Sequence, residues 1–272
     1  MQVQNFHTHT RFSDGRDTPR EMIEAALAAG FTALGFSDHS LYRWSDGIGQ
    51  YSLTRSGTFR CWREIRELSR DYAGRIRLYN GVELDGMSSP APIDYDFTVS
   101  SVHEMRRRSV SIMIDDDAET QRKLVDELYA GDWCSFAEAY YDSLTEHIIR
   151  QKTDIVGHID LPTKYSLMPE EEPRYRDAAT AAVREIVKHC DLFELNTGAI
   201  ARGYRTTPYP APFLLDEIRA AGGRIIVNSD CHDRHKLTCG FDDAEALLIR
   251  HGYTRDDHAR MNDRVDDITI WS

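Results

Sequence analysis

The sequence lacks long hydrophobic runs. No stretch of about 18 apolar residues, the length that a membrane-spanning helix needs, occurs in it. The opening segment MQVQNFHTHT has neither the basic flank nor the apolar core of a secretion signal. We therefore expect a cytoplasmic protein that does not engage a membrane. With 272 residues, of which 41% are hydrophobic, the chain can bury a substantial core, and we expect a single domain over residues 1–272.

Paired cysteines are also missing. The five cysteines are odd in number and widely spread, and none forms a Cys-x-x-Cys pair; they are Cys61, Cys134, Cys190, Cys231 and Cys239. This pattern indicates neither a disulfide framework nor a zinc site built from thiolates. We interpret them as reduced thiols.

Positive charge is scarce relative to negative charge. The formal net charge is -12, which disfavours a broad surface for long nucleic acid, although an acidic protein can carry a local basic pocket. A small molecule is the expected partner. Nothing in the sequence indicates an oligomeric state.

What the sequence does contain is a regular alternation of short apolar runs and helical patterns. A helix is predicted in DTPREMIEAALAAG, where Thr18 is the N-cap, Glu21 completes a capping box and Gly30 follows the end. About seven predicted strands are separated mostly by helices, the order typical of parallel β/α units. The strand segments are VQNF, TALGFSDH, RIRLYNGVEL, DFTVSSVH, DIVGHID, LFELN and RIIVNSDCH.

Length, strand count and polar strand ends together favour an α/β fold closed as a TIM-like barrel, with a site at the carboxyl ends of the strands. The glycine-rich dinucleotide fingerprint of open sheets is absent from the sequence. An open α/β sheet remains the alternative, because sequence patterns indicate parallel units more clearly than they indicate closure.

Metal-ligating residue types follow nearly every predicted strand, and they include six of the eleven histidines. In a barrel these strand ends meet at one mouth. Imidazole and carboxylate groups without thiolates suit zinc, iron or manganese. The residues are His7, His9, Asp38, His39, Glu83, His103, His158, Glu194, Asn196, Asp230 and His232.

The first pair of histidines has the spacing that a metal site requires. His7 and His9 are two residues apart, so in an extended segment both side chains point to the same side and can bind one ion. An isolated His-x-His is weak evidence. Agreement with four or five further strand ends makes a metal cluster the preferred interpretation.

The ordered motifs HTHTRFSDG, FSDHS, NGVELD, SSVH, VGHID, ELNTG and NSDCH resemble those of the polymerase-and-histidinol-phosphatase (PHP) superfamily, in particular its histidinol-phosphatase branch. The resemblance runs from His7 to His232. It implies a distorted (β/α)7 barrel that holds two or three divalent ions.

The resemblance also implies ligand sets. One ion takes His7, His9, Glu83 and Asp230. A second ion shares Glu83 and adds His103 and His158, and a third takes Asp14, His39 and His232. A carboxylate shared by two cations would hold both ions close to one water and one phosphate oxygen.

Such a cluster suits hydrolysis of a phosphomonoester. A water bound to the metal that His7, His9, Glu83 and Asp230 hold would have a lowered pKa. The resulting hydroxide would attack phosphorus directly. No serine or cysteine is placed as a nucleophile. Cys231 lies between two expected ligands, but strand alternation turns it away from them, so we interpret it as a packing residue.

Cationic donors should meet the phosphate, and Arg202 and Arg205 in NTGAIARGYRTTPYP are the candidates. Histidinol phosphatases usually continue the GH-x-D motif with arginine and lysine, whereas this chain has Thr163 in the arginine position. Lys164 is then expected to serve, as a point charge without the two-pronged fork of arginine.

Two acidic residues complete the candidate site. Glu194 is a hypothesis for the residue that recognises the organic half of the substrate. Asp160 is expected to orient a ligand from behind.

The preferred function is a metal-dependent phosphatase that converts L-histidinol phosphate and water to L-histidinol and phosphate in histidine biosynthesis. The first alternative is a PHP phosphoesterase that acts on nucleotides, oligonucleotides or another small phosphomonoester. A non-catalytic metal-binding module is the third possibility. A metal-dependent amidohydrolase would be expected to bridge its metals with a lysine, and Glu83 occupies that place.

The remaining histidines and the loop aromatics receive simpler interpretations. His147, His189, His251 and His258 are predicted to be surface groups, and Tyr42 and Trp44 are candidates for the wall of the pocket. The run from Arg106 to Arg108 is interpreted as a solvated loop.

Overall fold

The computed structural model of the chain describes residues 3–42, 51–89, 92–107 and 110–272. Trp44 and Arg108 lie outside these ranges, and the side chains of Arg106 and Arg107 are not described. Within them, no helix is both long enough and apolar enough to cross a bilayer.

The main sheet has nine strands in the described residues, and seven of them run parallel, each from one of the predicted segments. In the described residues the strands are β1 (Gln4–Asn5), β2 (Ala33–Phe36), β3 (Arg77–Asp85), β4 (Phe97–Ser101), β5 (Glu104–Arg107), β6 (Val110–Met113), β7 (Ile155–Val156), β8 (Leu192–Asn196), β9 (Arg224–Asn228), β10 (Arg255–Ala259) and β11 (Ile268–Trp271). The sheet order is β1-β2-β3-β4-β7-β8-β9-β11-β10, and the pairs from β1 to β9 are parallel. The prediction of parallel β/α units is confirmed.

Helices connect the parallel strands and cover the outside of the sheet. They are α1 (Pro19–Ala28), α2 (Arg55–Asp71), α3 (Ala118–Tyr129), α4 (Trp133–Arg150), α5 (Pro173–Ile186), α6 (Gly198–Ala201), α7 (Pro212–Ala220) and α8 (Phe241–Arg250). The predicted capping box at the start of α1 is present, with Glu21 N donating to Thr18 Oγ1 at 3.2 Å and Thr18 N donating to Glu21 Oε2 at 2.9 Å.

The sheet curls until its first and last parallel strands meet at the carboxyl end. Beyond β1 and β9, Thr8 and Cys231 form a parallel bridge. His9 N donates to Cys231 O at 2.8 Å, and Cys231 N donates to His7 O at 3.1 Å. These bonds close a distorted TIM-like barrel at its mouth, so the predicted fold class is confirmed and the open sheet is not.

The opposite end of the barrel is joined differently, through β11. This strand pairs antiparallel with β9, where Trp271 lies opposite Ile225. The side chain of Gln4 connects it to β1, since Gln4 Nε2 donates to Thr269 O at 2.7 Å and Thr269 N donates to Gln4 Oε1 at 2.8 Å. The amide side chain of Gln4 therefore supplies the hydrogen bonds between β1 and β11 that backbone groups would make in a regular sheet.

Phenylalanine rings fill the barrel interior below the mouth. Phe6 and Phe97 are at most 1% exposed and pack edge to face, with ring centroids 5.3 Å apart. A Cβ at Gly35 would come within 2.7 Å of the Phe97 ring, and one at Gly81 would overlap the same ring. Glycine at these two positions lets the large ring occupy the axis of a small barrel.

One histidine prediction was wrong. His189 and His258 are exposed and His251 is half-buried, but His147 is only 1% exposed. It lies on α4, and its Nε2 is 3.2 Å from Leu84 O, so the ring satisfies a carbonyl group of β3.

Candidate metal centre

The structure brings together at the mouth of the barrel all nine residues expected to bind metal. Within each of four overlapping sets of residues, the ligand atoms lie within 4.8 Å of one another. The sets are His9, Asp14, His39 and His232; His7, Glu83 and His158; His7, His9 and Asp230; and His39, Glu83 and His103. Strand ends that are up to 225 residues apart in sequence thus form one cluster, as barrel closure requires.

Glu83 lies at the centre of this cluster. Its Oε2 is 3.2 Å from His7 Nε2 and 2.9 Å from His39 Nδ1. Its Oε1 is 3.2 Å from His158 Nε2 and 3.5 Å from His103 Nε2. The two oxygens therefore face different histidines, which is the arrangement that a carboxylate shared between two cations needs.

Asp230 completes the side of the cluster next to the His7 and His9 pair. Its Oδ1 is 3.2 Å from His9 Nε2 and 3.6 Å from His7 Nε2. The residue has φ of +47°, a left-handed conformation that costs a non-glycine residue roughly 1–3 kcal/mol. Strain of this kind is typical of positions where a side chain must be aimed at a site.

Asp14 lies at the outer edge of the cluster. Its Oδ2 is 3.1 Å from His232 Nε2, and its Oδ1 is 3.8 Å from His39 Nε2 and 3.7 Å from His9 Nδ1. The Asp14 side chain is 30% exposed, whereas the His9 side chain is fully buried. This part of the cluster therefore opens toward solvent.

Unpaired buried atoms show that the residues fit metal ions. In the described part of the chain, both ring nitrogens of His9, His7 Nε2 and Glu83 Oε2 are buried without a hydrogen-bond partner. Buried polar atoms are normally satisfied, because leaving one unpaired costs about 1–3 kcal/mol. Lone pairs directed at a common point are what divalent cations require.

Glu194 orients His7 instead of binding substrate, so its predicted role is wrong. The carboxylate is fully buried, its Oε1 lies 2.7 Å from His7 Nδ1, and its Oε2 accepts from His158 N at 3.0 Å. A proton on Nδ1 directed at Glu194 leaves the Nε2 lone pair facing the cluster. Glu194 lies in the middle of β8, below the mouth of the barrel. It is fully buried there, so a substrate cannot reach it.

Two supporting residues were missed. His103 N donates to Asp85 Oδ2 at 2.6 Å, and Ser101 Oγ donates to Glu83 Oε1 at 2.7 Å. Asp85 lies two residues beyond Glu83 in β3, so strand alternation could have identified it from NGVELD. Ser101 had no comparable signal.

The electrostatics hold two residues of the cluster, Glu83 and His9, in the forms that bind metal. Burial opposes ionisation of Glu83, but His7, His103 and His39 outweigh it and hold its pKa well below the usual range. Burial, together with the charges of His232 and His39, lowers the pKa of His9 to about 3. Glu83 is thus an anion and His9 a neutral imidazole, the forms in which both act as ligands. Burial opposes protonation of His7, His39 and His103, but the charges of neighbouring carboxylates outweigh it and raise the pKa of each ring, so a proton competes with a metal ion there.

A cavity of about 500 Å³ opens over the cluster. Tyr42 lines it as expected, and both acidic and cationic residues contribute to its lining. The lining residues are Asp14, Arg16, His39, Tyr42, Tyr51, His103, Met113, Asp115, Asp116, His158, Leu161, Lys164, Arg202, Tyr204, Asp230 and His232.

Arg202 and Lys164 both reach this cavity. Arg202 Nη2 donates to Asp230 Oδ2 at 2.8 Å, so one guanidinium group contacts the outer oxygen of a cluster carboxylate. Lys164 Nζ is 3.0 Å from Asp115 Oδ2. Both cations are therefore held in place by carboxylates beside the cluster.

Arg205 and Asp160 do not take their predicted positions. The Arg205 guanidinium donates to the Thr163 hydroxyl and to Thr163 O, and Arg205 is not among the described residues that line the cavity. Asp160 Oδ2 accepts from Ala211 N at 2.8 Å, and burial raises the pKa of Asp160 to about 6 against the opposing charge of Arg205. These residues brace the loops beside the cavity, and the described bonds of Asp160 go to Ala211 instead of a cluster histidine.

Cys231 packs as its position in the strand predicts. It is 2% exposed, and its thiol donates to Asp233 O at 2.8 Å. The thiol is engaged with backbone and does not face the cavity as a nucleophile.

Comparisons with known proteins identify the family and the fold. The PHP domain family model matches residues 5–198. The histidinol-phosphatase of Bacillus subtilis (strain 168) is 24% identical, over 92% of this chain and 100% of its own length.

Two solved structures share the fold. A Listeria monocytogenes protein described as a candidate histidinol phosphatase has a TM-score of 0.75 at 18% identity, covering 88% of this chain and 99% of its own. The histidinol phosphate phosphatase of Lactococcus lactis, in complex with Zn, L-histidinol and phosphate, has a TM-score of 0.68 at 19% identity, covering 92% of this chain and 94% of its own.

Proposed function

Since the chain belongs to the PHP domain family, we propose that it is a metal-dependent phosphatase that hydrolyses L-histidinol phosphate to L-histidinol and inorganic phosphate. The observation that carries the proposal is the environment of Glu83. This single buried carboxylate lies within 3.5 Å of nitrogens from five histidines, namely His7, His9, His39, His103 and His158, beneath a cavity that Arg202 also lines. Such an arrangement suits neutralisation of a phosphate dianion better than any other reaction of a small molecule.

The nine clustered residues are proposed as ligands of two or three divalent ions. His7, His9, Glu83 and Asp230 hold the first, Glu83, His103 and His158 the second, and Asp14, His39 and His232 the third. Zinc, iron and manganese all accept this donor set. When bound, such ions lower the pKa of water and polarise the phosphate oxygens.

The other residues of the cavity bind and orient the ester. Arg202 adds a guanidinium charge beside the phosphate, and its Nη1 and Nη2 donate to Asp230 O and Asp230 Oδ2, which holds the group in place. Lys164 adds a point charge on the opposite wall. The organic group is then proposed to lie among Tyr42, Tyr51 and Tyr204, which line the same cavity.

Residues 1–272 are proposed to form one domain. The first and last strands along the chain, β1 and β11, are joined through the Gln4 side chain. A boundary between them would separate strands that share hydrogen bonds.

Thr163 keeps a second candidate open. A small hydroxyl replaces the expected arginine, and its partner Arg205 lies outside the cavity lining, so fewer fixed cations meet the phosphate than the family motif implies. A PHP phosphoesterase with another small phosphomonoester as its substrate is therefore the alternative. The net charge of -12 disfavours long nucleic acid.

A phosphate-release assay on protein of known metal content tests the proposal. L-histidinol phosphate should be hydrolysed with a kcat/KM of roughly 10⁴ M⁻¹s⁻¹ or more, well above nucleoside monophosphates and an aryl phosphate. Weak turnover spread over all the esters would favour the alternative. Full metal content without turnover of any ester would indicate a non-catalytic module.

A further inference from the structure

Asp38 is a buried carboxylate beside the cluster that belongs to none of the proposed ligand sets. It follows β2, immediately before His39, and is 2% exposed. A buried carboxylate is costly unless its oxygens are well hydrogen-bonded. Its partners therefore indicate what it is for.

Those partners come almost entirely from the loop of residues 10–15. Asp38 Oδ1 accepts from Thr10 N at 2.8 Å, from Ser13 N at 3.2 Å and from Ser13 Oγ at 2.5 Å. Asp38 Oδ2 accepts from Thr10 Oγ1 at 2.9 Å, and the thiol of Cys61 lies 3.6 Å from the same oxygen. The donors are neutral, and the two backbone amides both donate to Oδ1, while the Thr10 hydroxyl donates to Oδ2.

The same loop carries Asp14. Thr10 O accepts from both Ser13 N and Gly15 N at 3.0 Å, which makes a tight turn with Asp14 at its tip. A Cβ at Gly15 would overlap the backbone of His9, so the loop has little room to shift. The distance of 3.1 Å between Asp14 and His232 depends on this turn.

We propose that Asp38 is a positioning residue that sets the affinity of the third ion. It joins the two segments that supply Asp14 and His39, one by hydrogen bonds and the other by adjacency in the chain. It contacts neither substrate nor ion. The inference rests on the proposed function, in which Asp14, His39 and His232 bind the third ion.

The test is metal content measured without substrate. Wild type, Asp38→Asn, Ser13→Ala and the double variant are equilibrated at graded free Zn²⁺, and bound metal per chain is measured by elemental mass spectrometry. Asp154→Asn is the matched control, because Asp154 is a half-buried carboxylate that accepts from Thr98 N at 2.9 Å before the start of β7.

For Asp38→Asn we expect at least a tenfold loss of affinity for the weakest ion and no change for the other two. Ser13→Ala should cause a smaller loss in the same direction. The two losses should not add fully, because both changes alter the hydrogen bond between Ser13 Oγ and Asp38 Oδ1. The control should bind zinc like wild type.

Four outcomes overturn the inference. Unchanged affinity for every ion in Asp38→Asn does so, as do additive losses in the double variant. If Asp38→Asn fails to fold by circular dichroism, Ser13→Ala decides, and wild-type affinity there refutes the proposal. Wild type that binds only two ions and still hydrolyses L-histidinol phosphate refutes this inference and leaves the phosphatase proposal standing.

Discussion

At the scale of single residues, Glu83 is the group on which the contacts of the cluster converge. Replacing it with glutamine preserves its volume but removes the charge and one acceptor oxygen. For Glu83→Gln we expect loss of metal and a fall in kcat/KM of roughly 10³-fold, or about 4 kcal/mol. Metal analysis and the phosphate-release assay measure both effects.

Glu67→Gln is the matched control for this change, because Glu67 is an exposed residue of α2. It should leave metal content and turnover unchanged. Full metal content together with normal turnover in Glu83→Gln would remove the shared carboxylate from the account.

Glu194 makes a separate prediction, because the sequence and the structure assign it different roles. In Glu194→Gln, the amide NH2 would face His158 N and Asn196 Nδ2, which both donate to Oε2 in the wild type. We expect a 10–100-fold loss of metal affinity, as for other residues that orient a ligand, with KM nearly unchanged at saturating metal. Zinc titration and steady-state kinetics separate the two quantities. An increased KM with wild-type metal affinity would instead make Glu194 a substrate-binding residue.

The cluster could be predicted from the sequence because its ligands are rare residue types at the ends of regular strands. The residues behind them could be predicted only in part. Asp85 follows from alternation with Glu83, whereas the contact of Glu194 with His7 depends on how far below the mouth each strand end lies. Arg205 could not be placed, because its loop conformation is set by Thr163 and Tyr209.

At the scale of elements, the interior of the barrel depends on close contact between β3 and the Phe97 ring of β4. Gly81→Ala would push a methyl group into that ring, and we expect it to lower the free energy of unfolding by about 1–3 kcal/mol. Urea unfolding followed by circular dichroism measures the change.

Gly86→Ala is the matched control, since a Cβ there would meet only Val102 Cγ2 at 3.9 Å. Its free energy of unfolding should stay within about 0.5 kcal/mol of wild type. Equal destabilisation by the two substitutions would mean that the Phe97 contact does not limit glycine replacement in β3.

The parallel strands could be predicted because each is a compact apolar run bounded by turn signals. The C-terminal strands could not. In β10 the sequence RDDHA is mostly exposed, and pairing with β11 rather than local composition makes it a strand. The β5 and β6 hairpin was missed because EMRR and VSIM lack a recognisable turn of the common two-residue type.

At the scale of the whole molecule, closure of the barrel brings the ligands together. His7 and His9 follow the first strand, and Asp230 and His232 follow the last parallel strand. The bridge between Thr8 and Cys231 aligns these two segments. Chain length and the number of β/α units favour closure of the barrel. Neither of them reveals that β11 and the Gln4 side chain complete the barrel at the end opposite its mouth.

The measurement that tests the account most directly is phosphate release from L-histidinol phosphate by metal-stripped protein during titration with Zn²⁺ or Mn²⁺. We expect no turnover in the metal-stripped protein. The rate of phosphate release should rise only when at least two ions are bound per chain. Turnover that persists after metal is removed, or none when the ions are bound, would contradict the account.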